Sequence, residues 1–125
     1  AGTRPYNVPA DDNYMELSLF SADSPFGPWK PHKANPVKSD TRSSRPAGNL
    51  FYWKGSLYRP AQDCSRDYGY AVSINRVTES THEQYSEEEV SKILPEWIPG
   101  SKLIHTLNSC EGLTVIDTMN RTLKV

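Results

Sequence analysis

Eight of the ten prolines in this 125-residue chain fall between Pro5 and Pro60, and that clustering constrains the fold more than any other feature. A proline inside a helix removes a backbone donor and clashes with the preceding turn, so the first half is predicted to be strands and turns. The length is that of one domain with one core. Aliphatic side chains are sparse, while 7 Tyr and 3 Trp supply much of the apolar area, so the core is expected to be aromatic in character.

Several classes of function are set aside by composition. Fourteen basic residues stand against fifteen acidic ones, giving a net charge of −1; both signs are scattered, which offers no electrostatic footprint for nucleic acid or an anionic membrane surface. No apolar run approaches the roughly 18 to 20 residues of a membrane span. Cys64 and Cys110 lie far apart, without C-x-x-C spacing or a histidine pair. They predict two buried free thiols or one disulfide, and neither a metal nor another cofactor is expected.

Residues 1–13, with Pro5 and Pro9 and few apolar anchors, are expected to be an extended arm ahead of a domain over 14–125. Met15, Leu17 and Leu19 alternate with Glu16, Ser18 and Phe20, which predicts a strand over 14–22. Ser24-Pro25-Phe26-Gly27-Pro28-Trp29 forces a chain reversal, followed by a short strand near Trp29. Two apolar runs flank Lys54-Gly55, a two-residue connection suited to a tight hairpin. Residues 68–78 alternate again, with Tyr70, Val72, Ile74 and Arg76 on one face and Ala71, Ser73, Asn75 and Val77 on the other. Ser86-Glu87-Glu88-Glu89 before Val90, Ile93 and Leu94 has the local signature of a capped helix, its glutamates a solvated run. Residues 102–107 and 113–117 predict strands around a loop at 108–112, and 121–125 a closing strand. Short strands at near-regular spacing predict an all-β fold of antiparallel meanders.

Five motifs in order carry a resemblance: Leu19-Phe20-Ser21-Ala22-Asp23-Ser24-Pro25-Phe26-Gly27-Pro28-Trp29, Ser44-Arg45-Pro46-Ala47-Gly48, Leu57-Tyr58-Arg59-Pro60-Ala61-Gln62-Asp63-Cys64, Tyr68-Gly69-Tyr70 and Ile104-His105-Thr106-Leu107-Asn108. From about residue 14 to 118 the chain resembles the later blades of the five-bladed β-propeller at the N-terminal side of plant glucosamine inositolphosphorylceramide transferases. That domain is in turn similar to the propellers of family 43 glycosidases. The resemblance implies two to three blades of such a propeller, and it implies an extended conformation, rather than a helix, over 82–94. It also implies an incomplete catalytic set, because the early blades of those glycosidases supply much of the acidic constellation.

Propeller ligands bind at the axis lined by innermost strands. The resemblance therefore marks Arg45 as a bidentate donor to a carboxylate, a hydroxyl pair or a phosphate, with a structural bridge to Asp63 as the competing role. Asp63 is the candidate catalytic acid/base, provided its surroundings raise its pKa; otherwise it caps a turn. His105 is a candidate ligand-binding histidine or an interior hydrogen-bonded one. Tyr58, Tyr68 and Tyr70 offer aromatic faces for sugar rings, or pack in the interior. The expected function is a carbohydrate-binding or carbohydrate-processing module, at most a domain associated with a glycoside hydrolase or glycosyltransferase, taking a glycan or sugar-phosphate and forming homo-oligomers. The alternative is a structural assembly module with no glycan ligand.

Overall fold

Lys54 and Gly55 both adopt positive φ, 48° and 81°, which is the backbone twist that matches a two-residue turn to its flanking strands. The hairpin they close joins β5 (Phe51–Trp53) to β6 (Ser56–Asp63), with Trp53 opposite Ser56. The computed structural model describes residues 16–66 and 69–120; the expected arm over 1–13, the closing strand over 121–125 and Tyr68 lie outside the described residues. Within them the fold is all-β and antiparallel, with a single 3-10 turn at Pro95–Trp97.

β7 (Ala71–Ser80) and β8 (Tyr85–Ile93) follow β6 and complete a four-stranded meander in sequential order, β5-β6-β7-β8. The helical signature at 86–94 thus yields to a strand. Each residue of the acidic run has a partner on β7, Val77 opposite Glu87 and Arg76 opposite Glu88, and cross-strand pairing of this kind overrides a weak helix propensity. The predicted strand over 14–22 is split. β1 (Glu16–Leu17) pairs with β4 (Lys38–Ser39), and β2 (Phe20–Ser21) pairs with β3 (Lys30–Pro31). Between them the Asn35 amide takes the place of a strand, accepting from Leu19 N at 2.9 Å and donating to Leu19 O at 2.8 Å. β9 (Ser101–Cys110) and β10 (Leu113–Asn120) run through the expected loop at 108–112, because Glu111 and Gly112 alone make the turn, again with positive φ of 48° and 83°.

The meander is covered on both faces. Val72, Ile74 and Ile93 on one face pack with Ala47, Ile104, Leu107 and Ile116 to form the core, whose buried members are all aliphatic and against which Phe51 is the one aromatic ring packed. The expectation of an aromatic core is overturned: Trp29, Trp53 and Trp97 are 58%, 57% and 68% exposed. Sheets this short pack through small and branched side chains, and the tryptophans stand beside or within turns, where large rings do not have to fit between sheets. The opposite face carries Arg59, Asp63, Ser73 and Asn75, all buried, against the chain segment after β4.

Pro60 sits inside β6, opposite Ile74 on β7, a position normally closed to proline because a ladder donor is lost. In a strand the N and O of one residue point to the same side, and Pro60 O accepts from Ala47 N at 3.0 Å. Its missing N–H therefore faces Ala47, whose carbonyl is left to accept Leu107 N at 2.8 Å. The proline thereby joins the meander to β9.

Candidate functional site

The end of β6 and the start of β7 are joined by residues 64–70, and Tyr70 N donates to Asp63 O at 3.1 Å to close this connection. Asp63 is buried, 4% exposed. Its Oδ1 accepts from Ser65 N at 2.9 Å and Ser65 Oγ at 2.5 Å, and its Oδ2 from Lys92 Nζ at 2.8 Å. Burial opposes its ionisation, but the hydrogen bonds from Lys92 and Ser65 outweigh burial and hold the carboxyl below the usual range. Lys92 loses some basicity to burial and regains more from Asp63, so its pKa rises. The condition attached to an acid role for Asp63, a raised pKa, is not met. This carboxylate is built to accept hydrogen bonds and to cap the Ser65 turn.

Three other residues singled out in the sequence converge on the same connection. Arg45 lies beside β6, its carbonyl accepting Gln62 N at 2.7 Å. Burial pushes the Cys64 thiol up, opposed by a hydrogen bond from Gly69 and by the positive charge of Arg45. The ring of Tyr70 lies under the Arg66 guanidinium at 5.1 Å. His105 Nδ1 faces Asp117 Oδ2, and Asp117 Oδ1 accepts from His105 N at 3.2 Å and Thr106 N at 2.7 Å. Asp117 titrates below its ordinary value, the slight burial being outweighed by these bonds. His105 is half-exposed rather than interior. Arg42, paired with Asp40, also feels the charges of Glu89 and Asp63, so Arg42, Arg45, Arg66 and Lys92 ring the end of β6.

Tyr58 is not part of this group. It lies five residues before Asp63 on the opposite face of β6, about 17 Å along the strand, where its ring stacks on Phe51 at 5.5 Å and meets the edge of Trp53 at 6.2 Å. The cysteines are both free, Cys64 partly buried and Cys110 exposed rather than buried. Among the described residues no cluster of three or more His, Cys, Asp or Glu is placed to hold a metal ion, and no helix is long and apolar enough to cross a membrane.

Sequence reasoning missed Lys92 and Asp117. Lys92 reaches Asp63 across β7 because the β8 register sets it opposite Ser73, and nothing in the letters fixes that register. Asp117 is equally hidden in the letters. Pairing outward from the Glu111-Gly112 turn would set His105 opposite Thr118, and a bulge before Thr118 substitutes Asp117.

A Cβ on Gly69 would lie 2.5 Å from His105 Cβ, at a φ of +66°. Gly69→Ala is therefore expected to destabilise the chain by about 1–3 kcal/mol in urea denaturation. Gly100→Ala has similar backbone strain, with φ +81° and nothing within 4 Å of the added methyl, and should cost less; equal losses would mean that the approach to His105 is not tight.

Residues 6–107 match the family described as "Glucosamine inositolphosphorylceramide transferase 1, N-terminal". The chain is 44% identical over 78 residues to the glucosamine inositolphosphorylceramide transferase 1 of Oryza sativa subsp. japonica, an alignment covering 61% of this chain and 10% of the rice protein. It is 40% identical over 77 residues to the Arabidopsis thaliana protein of the same name, covering 60% of this chain and 10% of that one. The match thus spans about a tenth of the length of these relatives. No solved structure matches the chain significantly.

Proposed function

The chain belongs to the family of glucosamine inositolphosphorylceramide transferase 1 N-terminal domains, and from that premise we propose that it is a carbohydrate-binding module. It contributes two to three blades of a glycosidase-like β-propeller and lacks a full catalytic set of its own. The stacking of successive antiparallel sheets supports the propeller part, since the β5–β8 meander is packed against β9 on one face and against the segment following β4 on the other.

The observation that carries the ligand assignment is the convergence of Arg45, Asp63, Tyr70 and His105 on the 64–70 connection, ringed by Arg42, Arg66 and Lys92. Guanidinium and ammonium groups around ionised acceptors suit a ligand that carries both hydroxyls and a phosphate. The relatives are named for glucosamine and an inositolphosphorylceramide, and a sugar or sugar-phosphate group of that class fits these side chains. One carboxylate held ionised does not make the acid and nucleophile or base pair that glycosidic cleavage requires. Asp63 therefore acts as an acceptor here, not as a proton donor.

Isothermal titration with glucosamine, inositol phosphate and a panel of oligosaccharides tests the reading. At least one ligand should bind, and Arg45→Ala should weaken it about tenfold or more, the scale of a hydrogen bond from a charged group. Turnover of aryl glycosides abolished by Asp63→Asn would overturn the non-catalytic part. The second reading, a purely structural module, is favoured by the internal commitment of Asp63 to Lys92 and of His105 to Asp117. It predicts no binding by any of these probes and a lowered melting temperature for Arg45→Ala.

A further inference from the structure

Where β8 gives way to the 3-10 turn at Pro95–Trp97, the chain is firmly held. Pro95 is buried, its φ fixed by the ring. Trp97 N donates to Leu94 O at 3.2 Å, Ile98 N to Pro95 O at 3.1 Å and Ser101 N to Ile98 O at 3.0 Å. The i to i+3 bond brings Leu94 and Trp97 side by side. With Ile93 at the end of β8 and Ile116 of β10 they line a groove of about 550 Å³, whose other lining residues are Lys92 and Glu96. Ile93 and Ile116 are packed against the core and form its floor. Leu94 and Trp97, 43% and 68% exposed, form its rim. The volume falls within the roughly 300–1,000 Å³ of small-molecule sites, which are likewise mostly apolar with a few polar groups that orient the ligand.

The charges lining this groove do not balance. Lys92 Nζ already lies between two carboxylates, at 2.8 Å from Asp63 and 3.8 Å from Glu89. Glu96 enters no hydrogen bond or ion pair with any described residue. The groove therefore presents hydrocarbon walls, one indole and one carboxylate without a counter-ion. From that combination we infer that it is a binding site for an amphiphilic amine, a single protonated amino group on an aliphatic body. Glu96 attracts the ammonium and the Trp97 ring offers it a cation–π contact, while Ile93, Leu94 and Ile116 remove the hydrocarbon from water. An anionic amphiphile meets like charge at Glu96, and an ammonium without a tail leaves the walls unfilled, so charge and apolar bulk are both needed for selection. The site is separate from the 64–70 connection, toward which Lys92 sends its ammonium, and it stands whether or not that connection binds a sugar.

Isothermal titration of the full chain with octylammonium, at neutral pH and below micelle-forming concentration, tests the assignment. Octanoate probes the tail with the opposite charge, and methylammonium the head alone. Octylammonium should bind about tenfold or more tightly than either, and Glu96→Gln should weaken it about tenfold, the scale of a hydrogen bond to a charged group. The same substitution should strengthen octanoate. Trp97→Ala should also weaken octylammonium, and Trp53→Ala, at the hairpin, should not. Glu96 has no partner among the described side chains to lose, so the glutamine variant is expected to match the parent in urea midpoint. If Trp97→Ala fails to fold, amide shifts of the unmodified chain decide, since octylammonium should move those of residues 92–97 and 116. These probes carry neither hydroxyl on the tail nor phosphate, so their outcome is separate from that of the sugar titrations. No binding of octylammonium, equal binding of octanoate, a Glu96→Gln variant that loses nothing, or shifts confined to other residues would overturn the proposal. Equal binding of octanoate would mark a merely apolar surface.

Discussion

Replacing Glu87 by Gln is expected to lower the stability of the chain by about 3 kcal/mol at neutral pH, while Glu88→Gln one residue away costs about 0.5 kcal/mol or less. The two side chains lie on opposite faces of β8. The Glu88 side chain is 49% exposed beside Arg76. Glu87 is 3% exposed and meets Arg59, itself 1% exposed, through Nε at 2.7 Å and an Nη at 2.6 Å. Lys38 and the Tyr85 hydroxyl also donate to it, each at 2.6 Å. Two further guanidinium N–H groups donate to Ser43 O and Ser44 O, so this one cluster ties β6, β8 and β4 with the segment after it. Removing the carboxylate charge leaves a buried guanidinium with no equal counter-charge, the costly half of a buried pair.

The same cluster sets the acid response. Burial works against the Glu87 charge, yet Arg59, Lys38 and Tyr85 outweigh it and lower the pKa from 4.5 to about 2. A depressed carboxyl pKa gives stability that is present above pH 4.5 and is lost as pH falls through about 2, amounting to about 3 kcal/mol over the interval. Tyr85 behaves in the opposite sense. Burial and its bond to Glu87 raise its pKa above 10.0, so its contribution is complete below pH 10 and fades as pH rises through its higher folded-state value. Urea midpoints across pH 2–5 should fall steeply for the parent chain and little for Glu87→Gln. Parallel curves would mean that another carboxylate carries the acid transition.

The glutamate run also marks where the sequence was hardest to read. Its helical signature was locally sound, and only the period-two split of Tyr85 and Glu87 from Ser86 and Glu88 shows a strand; that split becomes visible once β7 is in place to pair with it. Arg59 carried a usable hint. A charged residue followed directly by Pro60-Ala61 in an interior strand needs buried acceptors, and the acidic run, read as solvated, supplies one in Glu87. The hairpin at Lys54-Gly55 was legible because φ, glycine and flanking periodicity all agree there. The candidate site was legible only through ordered motifs. Its partners Lys92 and Asp117 depend on register and on a bulge, which are tertiary outcomes.

Gly48→Ala is expected to be the most damaging small substitution in the chain, costing about 4 kcal/mol or more and exceeding what its backbone angle alone would explain. The φ of +158° is near the extended range; the difficulty is contact. An added Cβ would lie 1.9 Å from Leu107 O and 2.9 Å from Asn108 Oδ1. The backbone on either side is clamped. Ala47 N and O are engaged by Pro60 O and Leu107 N at 3.0 and 2.8 Å, and Asn49 N donates to Asn108 Oδ1 at 3.0 Å. Relief requires moving β9 away from Ala47, which opens the core formed by Ala47, Val72, Ile104 and Leu107 and breaks the link that the missing Pro60 donor makes possible. Gly112→Ala is the control, since its φ of +83° is less permissive but nothing lies within 4 Å of the added methyl; it should cost about 1 kcal/mol. Chemical denaturation of the two variants separates contact from conformation. If Gly48→Ala lost no more than Gly112→Ala, the meander and β9 could part without penalty and would not share one core.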